Sequence, residues 1–78
     1  MILEIITPES KLFQGEVNSV KFPGTDGSFG VLNNHTPIIS TLAKGTIEVV
    51  DSNNENINFD INGGVIEMQK NKIIVLAD

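Results

Sequence analysis

No cysteine occurs anywhere in this 78-residue chain, so neither disulfides nor a thiolate metal site can reinforce it. That absence suits a chain made for a reducing compartment. Arginine is missing as well, and five lysines stand against ten acidic residues for a formal net charge of -5. Nucleic-acid binding needs a basic footprint to displace counterions from phosphates, and that partner class is excluded. The lysines are scattered, a poor match to an anionic membrane surface. No run approaches the roughly 20 apolar residues of a membrane span. Glu4 falls where a signal peptide needs an unbroken apolar stretch. The expectation is a soluble chain without direct membrane insertion, any membrane association coming through another protein. Tryptophan and tyrosine are absent and only four phenylalanines are present, a meagre stock for an aromatic-lined ligand pocket.

What is there fits one small domain spanning residues 1–78. Hydrophobic residues make up 40% of the chain, enough for a core. A single core at this size supplies about 3–5 kcal/mol of net stability. Docking to a partner would add to that.

The patterning is that of strands throughout. Asn56 to Asn62 (NINFDIN) alternates polar and apolar residues without a break, the period of a half-buried strand. Thr46-Ile47-Glu48-Val49 repeats it, and Leu3 and Ile5 share a face across Glu4. Ile73 to Leu76 is continuously apolar; that strand is either covered on both faces or exposes one row to a partner. Turn signals recur at Gly15, Pro23-Gly24, Lys44-Gly45, Ser52-Asn53-Asn54, Gly63-Gly64 and Lys70-Asn71. Short strands so punctuated predict an all-β fold, an antiparallel β-sandwich or flattened barrel of about eight to ten strands with no helical domain. Asn62-Gly63-Gly64 reads either as a type I′ hairpin or as a glycine bulge at a sheet corner. Ile38 to Leu42 is β-branched and reads as extended. The predicted core is Leu3, Ile5, Phe13, Val20, Phe22, Ile47, Val49, Phe59, Ile61 and Val75.

Phe22 to Ser40 (FPGTDGSFGVLNNHTPIIS) concentrates the special backbone residues. A strand is expected to end at Phe22, because Pro23 has no amide hydrogen for a ladder. Pro23-Gly24 then suits a tight turn. Segments of this kind are more often functional rims than plain connectors.

None of the familiar chemistries survives inspection. The glycine spacing is not the dinucleotide fingerprint, and Pro37 stops any helix after it. Lys44-Gly45-Thr46 inverts the order of a phosphate loop. Asp51 to Asn62 starts like an EF-hand loop but lacks the glycine at position six and the glutamate at position twelve; a solvated hairpin tip is the better reading. His35, Asp26 and a serine could be drawn as a hydrolase triad, yet no nucleophile elbow exists. One histidine and no cysteine leave zinc short of ligands. No catalytic residue, cofactor, metal or small-molecule substrate is expected. His35 itself is either a loop histidine held by hydrogen bonds and Pro37 or a functional contact.

The run PGTDGSFGVLNNHTPIIS closely resembles the matching segment of the epsilon subunit of F-type ATP synthases. LEIITPESKLFQGEVNSVKF, KGTIEV, FDINGGVIEM and KIIVLAD resemble that family's other sandwich strands in order, so the likeness covers essentially the whole chain. Asn33 stands where the family usually has proline, and Thr36 where it usually has alanine. Family members usually continue into a helical hairpin, whereas this chain stops at Asp78. The resemblance implies a non-catalytic central-stalk subunit coupling the c-ring to the gamma subunit. It would sit peripherally on the cytoplasmic face of the bacterial plasma membrane during proton-driven ATP synthesis. Thr7, His35 and Ser40 would face gamma, and Asp26 and Ser28 would meet the c-ring loops. Without the hairpin, restraint of ATP hydrolysis is not expected. The alternative from the residues alone is a stand-alone β-sandwich for adhesion or ligand binding.

Overall fold

A computed structural model describes residues 1–32 and 37–78. Among these residues eight strands follow one another: β1 (Ile2–Ile6), β2 (Lys11–Gly24), β3 (Gly27–Leu32), β4 (Ile38–Leu42), β5 (Gly45–Asp51), β6 (Asn56–Ile61), β7 (Gly64–Gln69) and β8 (Lys72–Ala77). Among the described residues there is no helix. Their hydrogen-bonded order is β1-β8-β7-β4-β2-β5-β6, with β3 on the side of β2 and β1 closing back onto β2. The all-β expectation holds. Pairing is antiparallel except between β1 and β8, which run parallel; strands from opposite ends of the chain need no tight hairpin and are free to align this way.

The two layers are joined by β2, which is 14 residues long. Its first half pairs with β1, Glu4 opposite Gln14 and Ile5 opposite Phe13. A register shift between Val17 and Ser19 bends it, as a bulge does. Its second half then pairs with β3 on one side and β5 on the other. One layer is therefore β4, β7, β8, β1 and the start of β2; the other is β3, the end of β2, β5 and β6.

Alternating side chains from both layers meet in the middle. Leu3, Ile5, Ile66, Met68, Ile73 and Val75 come from the first; Val20, Phe22, Val31, Ile47 and Val49 come from the second, and all are buried. No buried residue among those described is polar or charged. Burial of this apolar surface is the main term opposing chain entropy.

Four sequence expectations are corrected. β2 does not stop at Phe22: it runs through Pro23 to Gly24, with Pro23 opposite Ser28. Within a strand, a residue's N–H and C=O point to the same side. At Pro23 that side faces away from β3, where its carbonyl accepts from the Ala43 amide at 2.7 Å. The ladder to β3 thus loses no donor. The turn accordingly falls on Thr25-Asp26, with Gly27 at a φ of 121° that favours glycine. Gly15 makes no turn; it lies inside β2 opposite Leu3. Phe13 and Phe59 are only half-buried and pack ring to ring, 5.6 Å between centroids, against the edge of the core.

Other turns form where the sequence signals them. Lys70 and Asn71 both take positive φ, 48° and 63°, as a two-residue hairpin between Gln69 and Lys72 demands. Asp51 Oδ1 accepts from the amides of Asn53 and Glu55 at 2.8 and 2.9 Å, tying the β5–β6 tip. Asn62-Gly63-Gly64 is no hairpin. β6 pairs with β5 while β7 pairs with β4 and β8, so the segment carries the chain from one layer to the other. Both glycines have positive φ, 142° and 155°.

Candidate interaction site

The outward-facing rows of the two layers differ in chemistry. On the layer containing β5, the outward row holds Lys21 opposite Glu48, with Asn56, Asn58 and Asp60 beyond. This face is mostly polar, although Leu32 stands exposed at its β3 edge opposite Ser19. On the other layer, β1, β8, β7 and β4 align Ile6, Leu76, Val65 and Thr41 in one row. Glu4, Ile74, Glu67 and Ile39 form the next. Ile39 is 79% exposed, Leu76 51% and Val65 43%. The first row is apolar up to Thr41 and the second alternates glutamate with isoleucine; exposed apolar residues grouped beside charge mark an interaction surface more often than singly scattered ones do.

A shallow depression of about 570 Å³ interrupts this face, lined by Ile6, Thr7, Pro8, Val65, Leu76 and Asp78 among others. Thr7 therefore borders the apolar row. Its hydroxyl is committed to its own turn, donating to the Ser10 carbonyl at 3.0 Å and accepting from the Ser10 amide at 3.1 Å. Ser40 lies on β4 opposite Ile66, half-buried in the inward row, its Oγ donating to the Thr41 carbonyl at 3.4 Å. It does not share Thr7's face. His35 falls outside the described residues.

Asp26 and Ser28 are exposed at the β2–β3 tip. That tip is tied to the apolar face. The Thr25 amide donates to the Thr41 carbonyl at 3.2 Å, and the two threonine hydroxyls lie 2.8 Å apart in a hydrogen bond. Thr41 closes the row that begins at Ile6, so hairpin tip and apolar face form one connected surface.

Its charge is set at one corner. Lys11 Nζ stands 2.8 Å from Glu4 Oε2, and the Glu4 side chain is only 13% exposed. The hydrogen bond from Lys11 lowers the Glu4 carboxyl below its ordinary 4.5, outweighing the opposing effect of burial, with the charges of Lys11 and Lys72 adding to it. A carboxyl lowered on folding stabilises the fold above its unfolded value, and that contribution is lost as pH falls through the folded value. Glu4→Gln should therefore lower the melting temperature slightly at neutral pH and leave it unchanged in acid well below 4.5. Thermal melts of both proteins across that range check the sign.

Sequence reasoning missed Ile6, Val65 and Ile39 as surface residues. Only the unbroken apolar run Ile73 to Leu76 hinted at an exposed row, and of its two outward residues Ile74 is half-buried and Leu76 exposed.

These features define a class: the small two-layered β-sandwich with one outer face mostly polar and the other carrying a row of exposed apolar side chains beside glutamates. The chain belongs to the family of the ATP synthase delta/epsilon chain β-sandwich domain, whose model matches residues 1–78. It is 42% identical over 76 residues to the ATP synthase epsilon chain of Campylobacter curvus, covering 97% of this chain and 59% of that protein. It is 40% identical over 74 residues to the epsilon chain of Caulobacter vibrioides, covering 95% of this chain and 85% of the relative. The chain thus spans about three fifths of the length of several curated relatives, the Campylobacter protein among them. A chain in the cryo-EM structure of the Euglena gracilis mitochondrial ATP synthase (OSCP/F1/c-ring) superposes with a TM-score of 0.92. Identity there is 22%, with 99% of this chain and 49% of that chain covered, so this match speaks to fold. A Tetrahymena thermophila mitochondrial ATP synthase structure (central stalk/c-ring) matches at 0.79 and 17% identity, covering 99% of this chain and 62% of the other. The stand-alone adhesion or ligand-binding module finds no support in these findings.

Proposed function

We propose that this chain is a central-stalk subunit of a rotary ATP synthase, coupling the c-ring to the gamma subunit and performing no chemistry itself. The observation that carries the reading is the row of apolar side chains across β1, β8 and β7, half-buried Ile6 with exposed Leu76 and Val65, which is connected through Thr41 to the exposed hairpin holding Asp26. Gamma covers the apolar face beside Thr7; the resemblance adds His35 and Ser40 as contacts with gamma, Ser40 from the opposite side of β4. Asp26 and Ser28 reach the polar loops of the c-ring, where a carboxylate pairs with basic or amide groups and fixes register more than affinity. A close-packed core behind both contacts resists deformation, so force applied at the hairpin passes to the adjoining apolar face. The subunit is held at the membrane by its partners, on the cytoplasmic side of a bacterial plasma membrane.

Leu76→Glu tests this directly. The side chain is half-exposed, so the domain folds, but a carboxylate is set into the apolar contact. Binding to gamma should weaken by about 2 kcal/mol or more, roughly thirtyfold, the scale of an interface hot spot. Titration of purified gamma with wild-type and variant domains, each with an unchanged melt, reads the loss. Equal affinity would remove the apolar face from the interface.

A further inference from the structure

We propose that Asn62 is a site of spontaneous deamidation, converting the corner between the two layers to aspartyl and isoaspartyl forms. Asn62 is exposed and stands in the one Asn-Gly pair of the sequence. In this reaction the Gly63 amide nitrogen attacks Cγ of Asn62. A nitrogen–carbon bond forms and the Gly63 proton passes to solvent. The Cγ–Nδ2 bond breaks, and that nitrogen departs as ammonia after taking a proton from water. The resulting succinimide is then opened by water at either of its two carbonyls, which gives aspartate or isoaspartate. No oxidant or reductant is needed.

Two conditions select the site: a following residue with no side chain in the way, and a following amide not already committed to a hydrogen bond. Gly63 meets both. It lies between β6 and β7, and its amide donates to no acceptor among the described residues, while its carbonyl accepts from the Asp78 amide at 2.9 Å. Gly63, at a φ of 142°, lies outside the strands, whereas Gly64 opens β7 opposite Leu42 and Ala77.

The rest of the chain supplies contrasts. The polar tip Asp51 to Asn56 looks more labile from sequence, yet its attacking amides are occupied. For Asn53 the attacker would be the Asn54 amide, which donates to the Asp51 carbonyl at 3.0 Å. For Asn54 it would be the Glu55 amide, held by Asp51 Oδ1 at 2.9 Å. Asn56 and Asn58 precede Ile57 and Phe59, both inside the β5–β6 ladder. Asp26-Gly27, which could isomerise by the same route, has its glycine paired opposite Gly24.

The consequence falls on packing. An isoaspartyl residue adds a carbon to the main chain beside Gly64, which is pressed against the Leu76 carbonyl. The added carboxylate also joins Asp60 and Lys44, which line the same surface depression, and lies near Asp78, whose Oδ2 flanks Gly63.

The test ages the purified full chain in neutral to mildly alkaline buffer. It maps peptides by mass and labels isoaspartate with protein isoaspartyl methyltransferase. The peptide holding Asn62 should lose its amide while those holding Asn53, Asn54 and Asn58 keep theirs, and Asn62→Ser should abolish the methyl label. The isoaspartyl fraction should melt lower than fresh protein, whereas Asn62→Asp, carrying the charge without the extra carbon, should not. Amide loss centred on Asn53 or Asn54, a label that survives Asn62→Ser, or an isoaspartyl form that melts like fresh protein would each overturn the proposal.

Discussion

Phe22→Ala is expected to leave the isolated domain largely unfolded at room temperature. The ring is fully buried, packs 5.6 Å from the Phe29 ring, and reaches between the layers from the shared strand β2. Truncating such a side chain costs about 3–5 kcal/mol through lost transfer energy and the cavity left behind. That matches the whole net stability available to a core of this size, about 3–5 kcal/mol. Phe59→Ala is the informative partner. Phe59 is half-buried on β6, at the layer edge, so its truncation should cost clearly less and preserve a cooperative melt. Urea denaturation followed by circular dichroism separates the two, and equal losses would mean the core is centred elsewhere.

Gly64→Ala should be nearly as damaging although it removes nothing. A side chain there would fall on the Leu76 carbonyl oxygen and within 3.0 Å of the Ala77 Cα. Both are backbone atoms of the β7–β8 ladder, so neither can swing aside. The φ of 155° adds strain of about 1–3 kcal/mol for a residue other than glycine. Relief requires β7 to move off β8, which displaces Val65 and Leu76 from the apolar face. The expected result is a lower melting temperature together with faster amide exchange along β7 and β8. Gly30→Ala is the control. The nearest atom is the Val20 carbonyl oxygen at 3.9 Å and φ is ordinary, so stability should hold or rise slightly. Comparable losses from both changes would show that the tight approach at Gly64 does not matter.

The alternation in Asn56 to Asn62 and in Thr46 to Val49, with turn residues at short intervals, was sufficient for an all-β domain. Period-2 patterning is local, and local backbone preference reads it directly. The blocks from PGTDGSFG to VLAD likewise carried the family, which the model match over residues 1–78 bears out. Alternation cannot say how far a side chain sits from the middle of a layer. Phe13 and Phe59 alternate as well as Ile5 and Ile47 do, yet only the latter pair is fully covered. Nor could Pro23 and Gly15 be placed inside one long strand. Their fate depends on which edge faces a neighbour, a relation between residues distant in sequence. The same holds for the apolar face: Ile6, Leu76, Val65 and Ile39 come from four strands and become neighbours only through the parallel β1–β8 pairing and the β8-β7-β4 order. Sequence determined the strands and the kinship. Pairing between distant strands decided which of two chemically similar rows was buried and which was left for a partner.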